Sequence, residues 1–189
     1  MSRARLPPEL ARRFRTGRVS LDFAHTGGDG PLAVWESVHG IADLEHWLAY
    51  LLEVNQVRAA AGDLARARAL RAAIWNAAQR VVAGATPSDG DLATINRAAG
   101  EPALVPCLRG AGTKLQSGTA TQALSTLARD AIDLFGGPLR TRIRVCAAED
   151  CGLLFVDASR PGRRRWCSMQ RCGARAKKRT YRARRAQAR

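Results

Sequence analysis

Four of the five cysteines lie in two close pairs in the last third of the chain. Cys146, Cys151, Cys167 and Cys172 follow the spacing C-x4-C-x15-C-x4-C. Two pairs joined by a connector long enough for a hairpin are what a tetrahedral thiolate site needs, and such sites usually hold zinc. Two disulfides, unrelated buried cysteines and an iron-sulfur cluster are the alternatives. We predict one structural Zn²⁺ ion bound by these four residues.

The segment around these cysteines is too basic and too poor in apolar residues to fold by burial alone. Residues 140–189 hold 16 of the 31 basic residues and three of the 16 acidic ones, a net charge of +13 out of +15. Their apolar side chains are few, chiefly Leu153–Val156 and Trp166. Burial of so little surface does not repay the conformational entropy of folding, so we expect a metal to stabilise the segment.

The residues between the cysteines predict the elements that position them. Residues 140–145 alternate in polarity and predict a strand, and 146–152 predict a sharp turn in which Gly152 can take a positive φ. Leu153–Val156 and Arg163–Cys167 predict the two arms of a hairpin.

A helix is predicted after the hairpin. Ser168 is a good N-cap for a helix that runs to about Arg185. Cys167 and Cys172 would then lie at its first turn, where the amide dipoles favour thiolates. A knuckle, a hairpin and a helix that carries the second ligand pair make up a treble-clef zinc finger.

That last helix carries a stripe of positive charge. Arg171, Arg175, Lys178 and Arg182 recur at helical spacing on one face. A solvated charged face is the alternative, but concentrated self-repulsion would destabilise an isolated segment. We therefore predict binding to a nucleic acid. The residues expected to contact it are Arg163, Arg164, Arg165, Arg171, Arg175, Lys177, Lys178, Arg182 and Arg185.

Double-stranded DNA is the favoured nucleic acid. The basic segment offers only Phe155, Trp166 and Tyr181 as stacking platforms for unpaired bases, and at least one of them should be core. RNA is the closest alternative, followed by a protein-interaction finger.

The region before the basic segment predicts a mostly helical domain. Apolar residues at helical spacing predict four helices that end near residues 52, 84, 100 and 136. The third is predicted to be capped by Ser88, with Leu92 and Ile95 facing inward. Residues 19–26 alternate weakly and predict a strand, and 103–109 with 113–116 predict a hairpin. Cys107 is expected to be a buried apolar residue.

These elements define an α+β protein, mostly α, in three parts. Residues 1–18 form a basic flexible arm, 19–138 the helical domain, and 139–189 the treble-clef-like finger. The boundary at Gly136–Pro138 stops a helix and coincides with the jump in charge.

The composition favours a globular protein in the cytoplasm, associated with the nucleoid. Of the 189 residues, 46% are hydrophobic and 25% charged. The longest apolar run is Trp47–Leu52, far short of the roughly 20 residues that cross a bilayer, so we expect no membrane partner. No secretory signal is visible, so the thiols should be reduced.

Catalysis is not expected. A nuclease built on the finger would need a histidine base, and residues 139–189 contain no histidine. In the helical domain, Asp22, His25 and Asp29 are close in sequence and His39 and His46 lie seven apart, but no nucleophile is paired with a base. A metal-dependent nuclease is the least favoured alternative.

The chain resembles two known bacterial protein modules. Arg165-Trp-Cys-Ser-Met169, followed by Cys172-Gly-Ala-Arg175, Lys177 and Tyr181-Arg182, is similar to the CGNR zinc finger. Leu21-Asp-Phe23 with Thr26, and Ala67-Arg68 to Leu70-Arg71, resemble the ABATE domain that precedes that finger in bacterial transcription regulators. Two positions depart from the pattern, because Ala174 replaces the signature Asn and His25 stands where Asn is usual.

The resemblance implies a transcription regulator with a zinc finger and a ligand-sensing N-terminal domain. The metal ligands match the pattern, whereas any hydrogen bond made by the signature Asn is lost, and Ala174 cannot read adenine directly. The domain is large enough to enclose a pocket, although no residue identifies the ligand. The candidate ligand-binding residues are Asp22, Phe23, His25 and Thr26.

Overall fold

The structure is a computed structural model that describes residues 16–109, 113–149 and 151–187. Most of the predicted basic arm, residues 1–15, lies outside the described residues. The helices are α1 (Val19–Ala24), α2 (Ile41–Leu51), α3 (Asp63–Val82), α4 (Asp89–Gly100), α5 (Ala120–Gly136) and α6 (Ala174–Gln187). The strands are β1 (Gln56–Arg58), β2 (Cys107–Arg109), β3 (Thr113–Leu115), β4 (Ser117–Thr119), β5 (Ile143–Val145) and β6 (Leu154–Val156). Short 3-10 helices span Gly30–Trp35 and Arg140–Arg142, and one π-helical turn spans Met169–Gly173.

The long helices form where the apolar periodicity predicts them. The hydroxyl of Ser88 accepts the amide of Asp91 at 3.2 Å, which confirms the predicted cap of α4. Ile95 of α4 is buried as expected, whereas Leu92 is 37% exposed and lies at the edge of the core. α1, α3 and α5 pack together, and α4 lies against α3 and α5.

The strand predicted at residues 19–26 is wrong, because Val19–Ala24 form the helix α1. Its buried residues are Ser20, Leu21, Phe23 and Ala24, a spacing that places them on one helical face. The amide of Ser20 donates to Asp130 of α5 at 3.0 Å, which anchors the helix N-terminus. The alternation of Leu21 and Phe23 predicted a strand because the other two buried residues, Ser20 and Ala24, are small and do not stand out as apolar positions.

The short strands of the helical part were predicted only in part. β2 and β3 form the expected antiparallel hairpin. Cys107 on this hairpin is exposed, so its predicted burial is wrong; two strands alone leave one face without cover. β1 and β4 pair in parallel, with Val57 opposite Gly118, and were not predicted because three residues carry no readable period.

The hairpin predicted between Leu153–Val156 and Arg163–Cys167 is also wrong. β6 pairs antiparallel with β5, with Val145 opposite Leu154. Side chains satisfy the backbone of the second predicted arm instead. Asp157 accepts the amide of Arg164 at 2.8 Å, and the Arg164 guanidinium donates to the carbonyls of Trp166 and Cys167. The treble-clef arrangement therefore stays a prediction.

Strand β6 is buried on both faces. Ile143, Leu154 and Val156 belong to the main core, together with the helices. Phe155 points the other way, into a smaller core that contains Cys146 and Cys172. The helical part and the cysteine-containing part therefore share one sheet.

Among the described residues, no helix combines the length and apolar character that crossing a membrane requires.

Candidate metal centre and nucleic-acid interface

The structure brings the four predicted thiols together. The Sγ atoms of Cys146, Cys151, Cys167 and Cys172 all lie within 4.8 Å of one another. The Sγ atom of Cys167 lies 3.7 Å from that of Cys151 and 3.6 Å from that of Cys172, too far apart for disulfides. Four sulfurs at about 2.3 Å from a tetrahedral zinc ion would be about 3.8 Å apart. The donor set and its spacing therefore fit one zinc ion.

The first pair of thiols is held by a tight turn between β5 and β6. The amide of Cys146 donates to the carbonyl of Leu153 at 2.9 Å, and the amide of Cys151 to that of Ala148 at 3.0 Å. Gly152 takes a φ of +58°, as predicted, which reverses the chain directly after the second thiol. The turn presents both sulfurs on the same side.

The second pair is held by the start of the last helical segment. The Ser168 hydroxyl accepts the amide of Arg171 at 3.3 Å, and the amide of Cys172 donates to the Ser168 carbonyl at 3.0 Å. Two donors also point at sulfur, the amide of Cys167 at Cys146 (3.4 Å) and the Arg175 guanidinium at Cys172 (3.5 Å). Such donors stabilise thiolates, so this N-terminal turn favours the metal-binding form of the cysteines.

The thiols influence one another's ionisation. A hydrogen bond from Cys167 lowers the pKa of Cys151 to about 5. The same contact raises the pKa of Cys167, and burial raises that of Cys146. Four sulfurs this close cannot all become anionic unless a cation lies among them. The cluster therefore has the chemistry of a cation site rather than of a single reactive nucleophile.

The basic residues of α6 are exposed, although the Arg175 guanidinium also contacts Cys172. Residues 174–186 are exposed except for Ala176, which is half-buried. The predicted stripe residues Arg175, Lys178 and Arg182 line one side groove of about 480 Å³. Lys177 lies on the other side of the helix, in a separate groove. Arg185 is exposed further along it.

The remaining predicted contacts differ in availability. Arg163 and Arg165 are exposed. Arg164 is engaged with backbone carbonyls and lies 4.5 Å above the Phe155 ring. Arg171 is half-buried, and its Nη1 atom has no hydrogen-bond partner among the described residues.

The candidate ligand-binding residues of the helical part lie in its interior. Phe23 and Thr26 are almost fully buried. The Nε2 atom of His25 lies 3.1 Å from both the amide nitrogen and the carbonyl oxygen of Leu154, so this buried ring joins α1 to β6. Asp22 accepts the amide of Thr16 at 3.0 Å, and burial raises its pKa to about 6.

A groove of about 550 Å³ lies beside these residues, at the boundary with the metal centre. Its walls include Trp35 and Trp75 on the helical side and Cys151 and Gly152 on the other. Arg71 also lines it and forms two hydrogen bonds with Glu36. Although burial opposes ionisation, the bonds from Arg71 lower the pKa of Glu36.

Sequence reasoning missed this groove, although a signal was present. Arg71 falls on the apolar stripe of α3 between Leu70 and Ile74, and a charged residue on such a stripe needs a buried partner.

The fold and the four-thiol site define a helical protein that ends in a four-cysteine zinc finger. Residues 17–138 match the ABATE family, described as "Putative stress-induced transcription regulator", and residues 142–185 match the CGNR zinc finger. The chain belongs to the ABATE family and carries a CGNR zinc finger, which confirms the resemblance. These are regulator and zinc-finger families rather than enzyme families. No curated protein matches the chain.

Proposed function

We propose that the protein regulates transcription by binding double-stranded DNA through its zinc finger. The observation that carries the proposal is the composition of α6. From Arg175 to Arg185 this helix has seven basic residues and no acidic one. Among the described residues, the exposed Glu149 forms an ion pair with this helix, with its carboxylate 3.5 Å from Arg179. Binding to a polyanion would neutralise this excess of positive charge and reduce its self-repulsion.

The shape of α6 suits the major groove of a duplex. Its 14 residues span about 21 Å, and a helix with its side chains is about as wide as that groove. Cys172, in the π-helical turn directly before α6, belongs to the metal centre, so the N-terminal end of the projecting helix is held in place. Arg163 and Arg165, in the loop before it, can reach the same backbone. DNA binding would place the protein in the cytoplasm, on the nucleoid.

The test is fluorescence anisotropy with duplex DNA, duplex RNA and single strands at several salt concentrations. If about five phosphates are neutralised, log K should fall with log salt with a slope near −4 to −5 on duplex DNA. Lys178→Ala should reduce this slope by about one, whereas Arg97→Ala, which removes an exposed charge on α4, should not change it.

Three other results would contradict binding to double-stranded DNA or add a different activity. Tighter binding to RNA would replace DNA as the partner. No binding to any nucleic acid at low salt would reject the proposal and favour a protein-interaction finger. Cleavage of the DNA in the presence of Mg²⁺ would favour the nuclease alternative.

Ligand sensing is a second candidate function, favoured by the groove between Trp35 and Trp75. The candidate residues support its wall, because Thr26 precedes Gly27 of the groove and His25 contacts Trp75 edge-on at 5.1 Å. The indoles of Trp35 and Trp75, with the side-chain amides of Asn76 and Gln79 in the same groove, suit a small planar molecule. Cys151 and Gly152 line the same groove, so an occupant would touch the metal-binding turn.

Native mass spectrometry of the purified protein tests this role. We expect a bound small molecule in the wild type and its loss in Trp35→Ala, since Trp35 is 39% exposed and not needed for the core. Trp166→Ala, outside the groove, is the matched control. A molecule retained in the Trp35 variant, or none in the wild type, would contradict the assignment.

A further inference from the structure

The second side of α6 carries a groove whose apolar residues the phosphate-binding role does not use. It lies between the projecting helix and the loop before it, with a volume of about 890 Å³. Trp166, Met169 and Tyr181 form its apolar surface, and Arg165, Lys177 and Arg184 lie at its rim. The opposite side of the helix presents Arg175, Lys178 and Arg182, and none of the described residues that line it is aromatic.

Met169 and Tyr181 of this groove lie outside the core of the finger, whereas Trp166 packs partly against it. Phe155 is fully buried against the cysteines, so the folding of the finger uses that aromatic ring. Met169 and Tyr181 are each 60% exposed, and Trp166 is half-buried. Tyr181 and the exposed part of Trp166 are therefore left at the surface, next to the cations of the basic segment.

Gly173 allows the groove to form a continuous surface. A Cβ atom at this position would lie 2.8 Å from the Met169 sulfur and 3.5 Å from the Trp166 ring. Because Gly173 has no Cβ atom, the Met169 thioether packs against the backbone at this position, beside the Trp166 indole. The Arg165 guanidinium lies 5.1 Å from the centre of the Trp166 ring, so one cation is already stacked on this surface.

Lys177, Tyr181 and Arg184 share one face of α6. Their spacing of four and three residues places the phenol between two cations, within about 11 Å along the axis. An aromatic ring between two phosphate-binding side chains is the arrangement that holds a nucleotide, because the ring stacks on the base while the cations neutralise the backbone.

We propose that this groove binds an unpaired nucleobase next to a duplex held by the opposite side of α6. A base within a duplex exposes only its edges, since its faces are covered by its neighbours, so only an unpaired base can enter and stack. The groove is large enough for a base with its sugar, and its cations Arg165, Lys177, Arg179 and Arg184 outnumber Glu149, the one carboxylate among the described residues that line it. This inference rests on the proposed nucleic-acid binding and specifies the structure that is preferred.

The test compares a fully paired DNA duplex with the same duplex carrying one unpaired base, by fluorescence anisotropy at fixed salt. The wild type should bind the bulged duplex about 5- to 100-fold more tightly, which is the range for stacking of one base. Tyr181→Ala should abolish this preference and Tyr181→Phe should keep it. Lys178→Ala, on the opposite side, should weaken both complexes equally and leave the ratio unchanged.

The outcomes separate this inference from the proposed function. Equal affinity of the wild type for both duplexes would overturn the unpaired-base site while leaving DNA binding in place. An unchanged preference in Tyr181→Ala would overturn it as well, provided that zinc content and circular dichroism show a folded finger. Failure to bind either duplex would reject the proposed function itself.

Discussion

The helical part and the zinc finger of this chain are stabilised by different means. The core of the helical part is continuous and includes large, fully buried side chains such as Phe23, Leu48 and Ile74. The smaller core of the finger has Leu153 and Phe155 as its only buried large apolar residues among those described, and its other members are mainly the cysteines. The difference shows that apolar burial can hold the first region together, whereas the second depends on its thiols.

The two regions are not independent, because they share the β5–β6 sheet. Leu154 and Val156 pack into the main core, while Phe155 between them packs into the finger. The outer edge of β6 is also covered, because the amide of Val156 donates to Thr16 at 2.7 Å and that of Leu154 to His25 at 3.1 Å. Disturbing one region should therefore reach the other through this sheet.

Metal removal should have the largest effect. Native mass spectrometry should find one zinc ion per chain, and chelation should remove a stabilisation on the order of 10 kcal/mol. We expect hydrogen exchange to show loss of protection in 157–187 while α3 and α5 stay protected. Cys172→Ser should act like chelation, and Cys107→Ser, which changes an exposed cysteine on β2, should not. A metal-free protein whose finger is still protected would show that the finger does not depend on its thiols for stability.

The link between the regions can be broken at His25. His25→Ala should lower the free energy of unfolding by about 2–3 kcal/mol, since it leaves the buried Leu154 amide without this partner. His25→Asn, which restores the side chain usual in the resembling domain, should recover part of the loss. Urea denaturation measures both, with the exposed His46→Ala as control. An effect no larger than that of the control would show that the contact does not join the regions.

A smaller effect is expected at the loop that precedes the second thiol pair. The Asp157 side chain accepts the Ser159 hydroxyl and the amide of Arg164, and the Ser159 bond lowers the pKa of Asp157 to about 2. Asp157→Asn loses part of this network and should destabilise the finger by about 1–2 kcal/mol. Competition with a chromophoric zinc chelator should show weaker zinc retention. The exposed Glu149→Gln should retain zinc like the wild type; equal retention by both variants would contradict the role of the loop.

The last effect is a gain in stability, and it is confined to the helical part. Burial raises the pKa of Asp22 to about 6, so the folded protein holds a proton that the unfolded chain releases. Stability should therefore fall as pH rises from about 4 to 6, and Asp22→Asn should remove this fall and gain on the order of 2 kcal/mol at pH 7. The variant keeps an oxygen for the Thr16 amide. Urea denaturation between pH 4 and 8, with the exposed Asp29→Asn as control, would reveal an unchanged pH profile if this assignment were wrong.

Features that depend on local chemistry could be predicted from the sequence. The four thiols were predicted by their spacing, and the long helices by apolar periods and caps such as Ser88. Each of these signals lies within about 25 residues of chain. The metal site was the clearest case because few arrangements of thiols serve another purpose.

Features that depend on distant contacts could not be predicted. β6 pairs with β5 rather than with residues 163–167, although all of them are close in sequence, because the side chains of Asp157 and Arg164 satisfy the backbone of that segment, which the pattern of residue types does not show. β1 and β4 are three residues each and lie about 60 positions apart. The burial of His25 likewise depends on β6, which is 129 residues further along the chain.

The doubly buried β6 strand bears on how the protein can be divided for expression. A fragment that begins near residue 139 would expose the side chains of Ile143, Leu154 and Val156 to water, and a fragment that ends there would leave the matching surface of the helices uncovered. Both fragments would present apolar surface that favours aggregation. A soluble finger fragment would need polar substitutions at these three positions, and the same face limits which other helical domains this finger could be fused to.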